Sequence, residues 1–551
     1  MAASSADKDS DYLMNTPDDV IYDTIIVGAG PAGLTTANIL GAAGLDVLIL
    51  EAADDIPNYP RAVGIDEESL RTFQAIGLSE PLLPHYEPGY RVVLRDNKGR
   101  AMVEMRPSNM QYGWVGGGFV QPLADRVMFE GLARYRNVAV QFNARYLGSA
   151  AATDHQVVRV LHSNGKEQEL RARWVVGADG GSSTVRKSAG IEFPGATSPF
   201  SWLVVDVEGD PSATLGASAI CEPGEPIVSI QLPHGIRRYE FRVNNDEPHE
   251  VATSAASLQR RLSLVMPAPE RATIIRSRVY QHHSRVASAF RSGRIMLVGD
   301  AAHLMPVWQG QGYNNGLRDA FNLAWKIAAV AKGFADESLL DTYEAERRPH
   351  VTSMVAVSTN LGKIITLDNR ILAKGRDLLF AGIRKIPKAR NYILEGSFKP
   401  VPAFGTGAIV TSAADRVKIP VVGKLMPQPF VLTGGRRVRL DDVLGSGFSI
   451  LTWGKDPLQY MDAASEEFWR KLGASIVTVV QAQQLDHNQN SYPERCFVGD
   501  EGVLHDWFST TEAGIVVIRP DRIVAMACDP QEASAATQAF AKAISWTGQA
   551  H

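Results

Sequence analysis

Cysteine is scarce. The chain of 551 residues holds three, Cys221, Cys496 and Cys528. Their number is odd and no two form a C-x-x-C pair, which excludes a disulfide scaffold and a thiol redox or zinc motif and fits a reducing compartment. No charge of one sign prevails either. Lys and Arg number 56 against 60 Asp and Glu, a formal net charge of −4, so there is no electrostatic case for nucleic acid or an anionic membrane as partner. No apolar run reaches the ~18 residues that a membrane span needs. The first 19 residues are polar and acidic, with Asp7, Asp9, Asp11, Asp18 and Asp19, and lack the basic-then-apolar order of a signal peptide. They read as a disordered tail, and the cytoplasm is the expected location. No metal site is expected.

Glycine is what the chain does have, 48 residues of it, so backbone is expected to approach something closely at several places. The length is too great for one core and allows two to four domains at ~150 residues each. Residues 22–28 read as a buried strand, 34–43 as a helix and 45–50 as a second buried strand, a βαβ unit. Between the first two lies Gly28-Ala29-Gly30-Pro31-Ala32-Gly33, and Glu51 ends the second strand. G-x-G-x-x-G between strand and helix, with an acid about 20 residues on, is the dinucleotide fingerprint. The glycines allow a tight turn and close approach of a pyrophosphate to a helix N-terminus, and the acid takes ribose hydroxyls. Two further strand ends carry acids, Gly177-Ala178-Asp179-Gly180 and Gly299-Asp300-Ala301-Ala302-His303. Alone, each could be a turn or a helix cap; three such sites in one chain point to one ligand.

From about 194 to 288, and again over about 85–118, the texture changes to alternating strands, a separate β-sheet portion. The segment Pro306 to Asn314 is rich in glycine and precedes a long helix expected over 317–332. Backbone N–H groups at such an entry can face an anionic ring edge, assisted by the helix dipole. Past about 405 the strand-like stretches 448–453, 474–480 and 514–518, with helices between, form a further α/β module.

The order GxGxxG–Glu, GADG, GDAAH resembles the single-component flavin-dependent aromatic hydroxylases with the para-hydroxybenzoate hydroxylase fold, in their phenol hydroxylase branch. The resemblance is strong over roughly residues 20–400. It implies an α/β chain with a Rossmann-like FAD-binding domain interleaved with a β-sheet substrate domain over 20–400, and a thioredoxin-like domain over 405–551. It implies tightly bound FAD, with NADH or NADPH as reductant and O2 as co-substrate. The residues that it assigns to the cofactor are Gly28, Gly30, Pro31, Ala32, Gly33, Glu51, Arg61, Gln121, Asp179 (with Arg186), Asp300, Pro306, Gly310, Gly312, Tyr313 and Asn314. The implied reaction is ortho-hydroxylation of a small phenolic acid through a flavin C4a-hydroperoxide. Another phenol or N-heterocycle, or a flavin-binding protein without oxygenase activity, are the alternatives, and oligomerisation is left open.

Deprotonating the phenol makes its ring more nucleophilic, so a base is expected near it. Relatives in this branch carry an Asp after the Arg-Ala pair, and here that position is Val63. Asp66, Glu67 and His303 are candidates, and the strand expected over 236–243 offers better ones. Alternation along 236–243 puts Arg238, Glu240 and Arg242 on one face and Arg237, Tyr239 and Phe241 on the other. One face should look toward the ligand, where Arg238 could pair bidentately with a carboxylate. The expected catalytic residues are thus Arg238, His303 and Pro306, and the expected substrate contacts Tyr112, Trp114, Arg238, Glu240 and Trp308. The run Gly116-Gly117-Gly118 stands beside Trp114 and could open the pocket.

Overall fold

The structure is a computed structural model that describes residues 20–58, 61–106, 110–210, 216–244, 246–411, 420–511 and 513–548. The tail expected over 1–19 and the Tyr59-Pro60 pair lie outside the described residues.

Five parallel strands of an eight-stranded mixed sheet form the first layer, in the order Ile295–Leu297, Glu167–Gly177, Ile21–Val27, Val47–Leu50, Val138–Gln141. Its inner strands are continuous apolar runs because helices cover both faces. Val47–Leu50 is buried at every position. The strand Ile21–Val27 ends at Gly28, whose φ is +105°, and a Cβ there would stand 2.5 Å from the Ala178 carbonyl oxygen. Only glycine suits this crossing, and it brings the first motif against the second.

The long helix spans Gln311–Ala331 and so begins six residues before the expected start. Gly312 and Gly316 lower helix propensity, which argues for a loop on sequence alone. Packing overrides this: a Cβ on Gly316 would stand 3.4 Å from the Gly299 Cα and 3.5 Å from the Ala32 Cβ. Gly316 lets the helix press onto the Gly299 turn and onto the helix Pro31–Ala42.

The second layer is an eight-stranded sheet in the order His303–Leu304, Thr273–Val286, Gly195–Glu208, Ile236–Val243, Ile227–Gln231, Ala217–Ile220, Val92–Arg95, Ala101–Met105. Segments more than a hundred residues apart thus share one surface. One of its faces carries Leu203, Val205, Val207, Tyr239 and Phe241, buried with Ala252, Leu258 and Leu262 from two short helices. The opposite face carries Asp206, Arg238 and Glu240 and looks toward the first layer.

The C-terminal sheet is ordered Arg436–Arg439, Phe430–Thr433, Cys496–Asp500, Ser475–Gln481, Ser449–Trp453, Ile515–Ile518, Val524–Cys528. Three parallel strands are extended by an antiparallel pair, and the helix Ala533–Ala543 follows. This is the thioredoxin-like arrangement. Cys528 is buried and Cys496 exposed, on different strands. One side of the module packs a core of its own, the other continues the core of the first layer, and buried charge crosses the junction. Arg519 grips Glu346 with two bonds of 2.8 Å and Asp521 through Nε at 2.9 Å. Lys326 adds a bond of 2.9 Å to Glu346. Arg71 holds Asp441 bidentately at 2.9 and 2.8 Å. Breaking one partner from such a pair leaves an uncompensated buried charge. Among the described residues no helix is long and apolar enough to cross a membrane.

Candidate active site

Three strand ends of the first sheet converge on one edge. The helix Pro31–Ala42 starts there with Gly30 at its N-cap, no side chain caps it, and a Cβ on Gly30 would meet nothing within 4 Å. Gly33 is close-packed instead: a Cβ there would stand 2.1 Å from the Gly28 carbonyl oxygen. Glu51 accepts from the Ala29 N–H at 2.9 Å and from the Ala53 N–H at 3.0 Å, so its carboxylate lies against the glycine turn.

Asp300 meets Arg61 across 239 residues, at 3.4 Å and with both side chains well exposed. Gln121 sets the Arg61 loop: its Oε1 accepts from the N–H of Arg61 at 3.1 Å and of Ala62 at 2.7 Å. Its Nε2 donates to Asp125 at 3.0 Å. Asp125 is wholly buried, and burial pushes its carboxyl up to about 7. Tyr313 packs beside it and against Phe119.

Asp179 and Arg186 serve the fold visibly. Asp179 accepts from the Thr184 N–H at 2.6 Å, the Val185 N–H at 3.1 Å and the Ser183 hydroxyl at 2.5 Å. Arg186 ties the second motif to the third through the Ala301 carbonyl at 2.8 Å. The Gly310 turn has φ +62° and opens the Gln311–Ala331 helix, again without a side-chain cap and with open space at Gly310. Asn314 uses its amide within the protein. Nδ2 donates to the Gly310 and Gly64 carbonyls at 2.7 and 3.2 Å, and Oδ1 accepts from the Asp66 N–H and the Ser69 hydroxyl. It fastens the glycine turn to residues 64–69.

Two uncapped helix starts, each entered through a glycine with open space, sit on either side of the Arg61–Asp300–Gln121 group. Unsatisfied N–H groups at helix starts favour anionic oxygen. The donor set therefore fits a dinucleotide with an anionic ring edge, as FAD has.

Several expected site residues stand elsewhere. His303 is buried, with its Nε2 on Asp319 at 2.6 Å; Asp319 also takes Arg347 at 2.8 Å and the Gly299 N–H at 3.2 Å. It buttresses the third motif from behind and is no base for a ligand. Tyr112 belongs to the C-terminal core, with Arg71 over its ring. The Trp114 indole donates to Gln74 at 2.8 Å under the Arg439 guanidinium. Both seal the junction with the C-terminal module and do not line a ligand pocket. The glycine run is a packing requirement too. A Cβ on Gly117 would stand 2.0 Å from the Glu87 carbonyl oxygen, and one on Gly118 2.5 Å from the Tyr90 ring.

Arg238 does not face a ligand with its fork. Its Nε and Nη2 hold Asp206 at 2.8 and 3.0 Å, and its Nη1 donates to the Arg61 carbonyl at 2.8 Å. The bidentate fork expected for a substrate carboxylate is spent on Asp206, and the residue locks the substrate sheet to the Arg61 loop. Asp66 is held far below the usual carboxylate range: burial opposes this, but Arg318 and Lys399 outweigh it. Trp308, two residues after the buried Pro306, forms an aromatic corner with Trp202 at 5.0 Å and His282 at 5.7 Å. Burial pushes the His282 imidazole down to about 4, so it is neutral at pH 7.

Asp125, Asp319 and His282 were missed by the sequence reading. Asp319 had a signal: Asn315, Asp319 and Asn322 recur on the buried turns of a helix otherwise built for the core. His282 had none beyond its strand.

A family model described as an FAD binding domain matches residues 21–358, and one described as the HcaD C-terminal domain matches residues 423–543. The 3-(3-hydroxy-phenyl)propionate/3-hydroxycinnamic acid hydroxylase of Mycobacterium sp. (strain JLS) is 44% identical over 519 residues, 94% of this chain and 91% of that protein. The enzyme of the same name from Klebsiella pneumoniae (strain 342) is 41% identical over 520 residues, 94% of either chain. Among solved structures, the flavin-dependent monooxygenase PieE, in complex with FAD and substrate, superposes with a TM-score of 0.77 at 21% identity. It covers 96% of this chain and 99% of that one, a likeness of fold. Fold, motif geometry and relatives agree: this chain belongs to the FAD binding domain family and is an FAD-dependent hydroxylase.

Proposed function

We propose that the chain hydroxylates 3-(3-hydroxyphenyl)propionate, and 3-hydroxycinnamate, ortho to the phenol, with NADH or NADPH as reductant and O2 as oxidant, to give the catechol. The observation that carries this reading is the meeting of the Pro306–Gly312 entry, the Arg61–Asp300–Gln121 group and the polar face of the eight-stranded sheet. The first two would hold the cofactor's ring, and the third would line the space left for a substrate. The identity of more than two fifths to hydroxylases of that name supports the substrate.

FAD bound at this edge supplies the redox and oxygen chemistry. The protein's part is binding, orientation and exclusion of water. Gly28, Gly30 and Gly33, with the N–H groups of Ala32 and its neighbours after Pro31, cradle the pyrophosphate, and Glu51 takes ribose hydroxyls. Asp300 and Arg61 hold the chain between ribose and ring, and Gln121 sets the Arg61 loop. The turn of Gly310 and Gly312 presents backbone donors to the ring edge, with Tyr313 and Asn314 fixing that turn from below. Pro306, whose carbonyl accepts from Ser358 at 2.7 Å, shapes the wall beside the ring. Asp179 and Arg186 keep the second motif registered on the third. The corner of Trp202, His282 and Trp308 closes the substrate side against water.

A panel of phenols offered to the FAD-loaded chain tests this. Hydroxyphenylpropionate should accelerate NAD(P)H oxidation more than phenol, resorcinol or an N-heterocycle, with the new hydroxyl ortho to the old. Equal stimulation by all, or none by hydroxyphenylpropionate, would remove this substrate.

A further inference from the structure

Among the described residues none donates a hydrogen bond to Glu240, in a place where a carboxylate needs donors. It lies on the inner face of Ile236–Val243, is 5% exposed, and accepts no hydrogen bond from any described residue. Arg238, one step along the same face, is occupied by Asp206 and by the Arg61 carbonyl. A largely buried carboxylate without donors is costly, and the Glu240 oxygens are not among the fully enclosed unpaired atoms, so they border open space that a ligand can fill.

The surroundings show where that ligand lies. The cross-strand neighbours of Glu240 on its face are Val204 and Val228. Both sit on interior strands of the eight-stranded sheet, yet both are only half-buried, whereas Val205 on the opposite face is fully buried. The sheet is therefore open above Glu240. On one side of this opening Val228 packs on the same apolar cluster as Trp308, which also meets Trp202 of this face at 5.0 Å; on the other it shares a cluster with Val63, beside the Arg61 carbonyl that Arg238 holds. The opening is thus framed by the two segments that flank the cofactor edge, the Pro306–Trp308 wall and the Arg61–Val63 loop. Val63 occupies the position where an acid was sought in sequence, and Glu240 offers a carboxyl from the facing strand. Burial pushes that carboxyl up, against the pull of Arg238.

Resting on the phenol-hydroxylation reading above, we propose that Glu240 is the catalytic base that accepts the phenolic proton of the bound substrate. The phenol O–H bond breaks, a carboxyl O–H bond forms, and the pair of oxygens keeps one negative charge throughout. No oxidant enters this step. The phenolate that results pushes electron density onto the ortho carbon that is hydroxylated.

The test is a nitrophenol whose phenolate absorbs in the visible, titrated into the FAD-loaded full chain and into Glu240→Gln and Glu240→Asp. The wild type should bind it partly as phenolate about one pH unit below its free pKa. Glu240→Gln should bind it as the neutral phenol at that pH. Hydroxylation at neutral pH should fall by about a hundredfold in Glu240→Gln, with KM changed far less, and should recover as pH rises. Glu240→Asp should restore part of both. An unchanged ionisation profile with hydroxylation intact in Glu240→Gln would overturn the proposal. So would an equal loss in Glu240→Gln and Glu240→Asp with FAD content lowered in both, which marks a merely structural residue. A wild type that yields no catechol but still shows Glu240-dependent ionisation sinks the substrate reading and leaves the proton acceptor standing.

Discussion

At the proposed cofactor end, Gly28, Gly30, Glu51 and Asp300 stand within a few residues of the strand ends that announce them. At the substrate end, Glu240 owes its setting to Val204, Val228, Trp308 and the Arg61 loop, each from a different strand or turn. Nucleotide binding is a backbone affair, and backbone turns leave glycines in fixed spacing. Recognition of a phenol is a side-chain affair on a sheet surface, and which side chain is left without a partner depends on every other pairing. Arg238 and Glu240 make the point on one face of one strand. Alternation treats them alike, yet the structure gives the arginine Asp206 and leaves the carboxylate bare.

The largest effects should come from the buried ion pairs, which neither end uses for chemistry. Arg519→Met should lower stability by about 3–5 kcal/mol, because Glu346 and Asp521 lose their main partner, and thermal unfolding of the FAD-loaded chain reads this directly. The same pair gives an acid limit. Burial raises Glu346, but Arg519 and Lys326 outweigh it and hold the carboxyl at about 2. Its folded value is depressed, so its contribution is present above its ordinary value near 4.5 and is lost as pH falls from there toward 2. Stability measured from pH 6 to 3 should show a fall in the wild type that is reduced in Glu346→Gln.

Arg238→Ala sharpens the contrast at the substrate end. It leaves Asp206 buried without its bidentate partner and should cost about 3–5 kcal/mol. KM should change for acidic and neutral phenols alike; a selective rise for the acid would return Arg238 to carboxylate recognition. At the cofactor end, Asp300→Ala should weaken FAD binding by about ten- to a hundredfold, the worth of a charged hydrogen bond, as read by flavin released on dialysis. Gly117→Ala should act least, costing about 1–3 kcal/mol through overpacking against the Glu87 carbonyl, with FAD affinity unchanged. A specific loss of substrate binding there would make the glycine run part of the pocket after all.

The βαβ unit, the three acidic strand ends, the alternation along 236–243 and the C-terminal module are legible because each shows a local period or a glycine at a required turn. The long helix was read six residues short because Gly312 and Gly316 look like loop until Gly299 and Ala32 are seen against them. Tyr112 and Trp114 looked like pocket walls because they border a glycine run. Their true partners are Arg71, Gln74 and Arg439, the last of them more than 300 positions away. Asp125 could not have been picked out, since its meaning comes from Gln121 and Tyr313 closing over it.

The most direct measurement is the yield of product per reductant consumed. The FAD-loaded chain, given 3-(3-hydroxyphenyl)propionate, NAD(P)H and O2, should form close to one catechol for each NAD(P)H oxidised. Reductant consumed with only hydrogen peroxide formed would contradict the account.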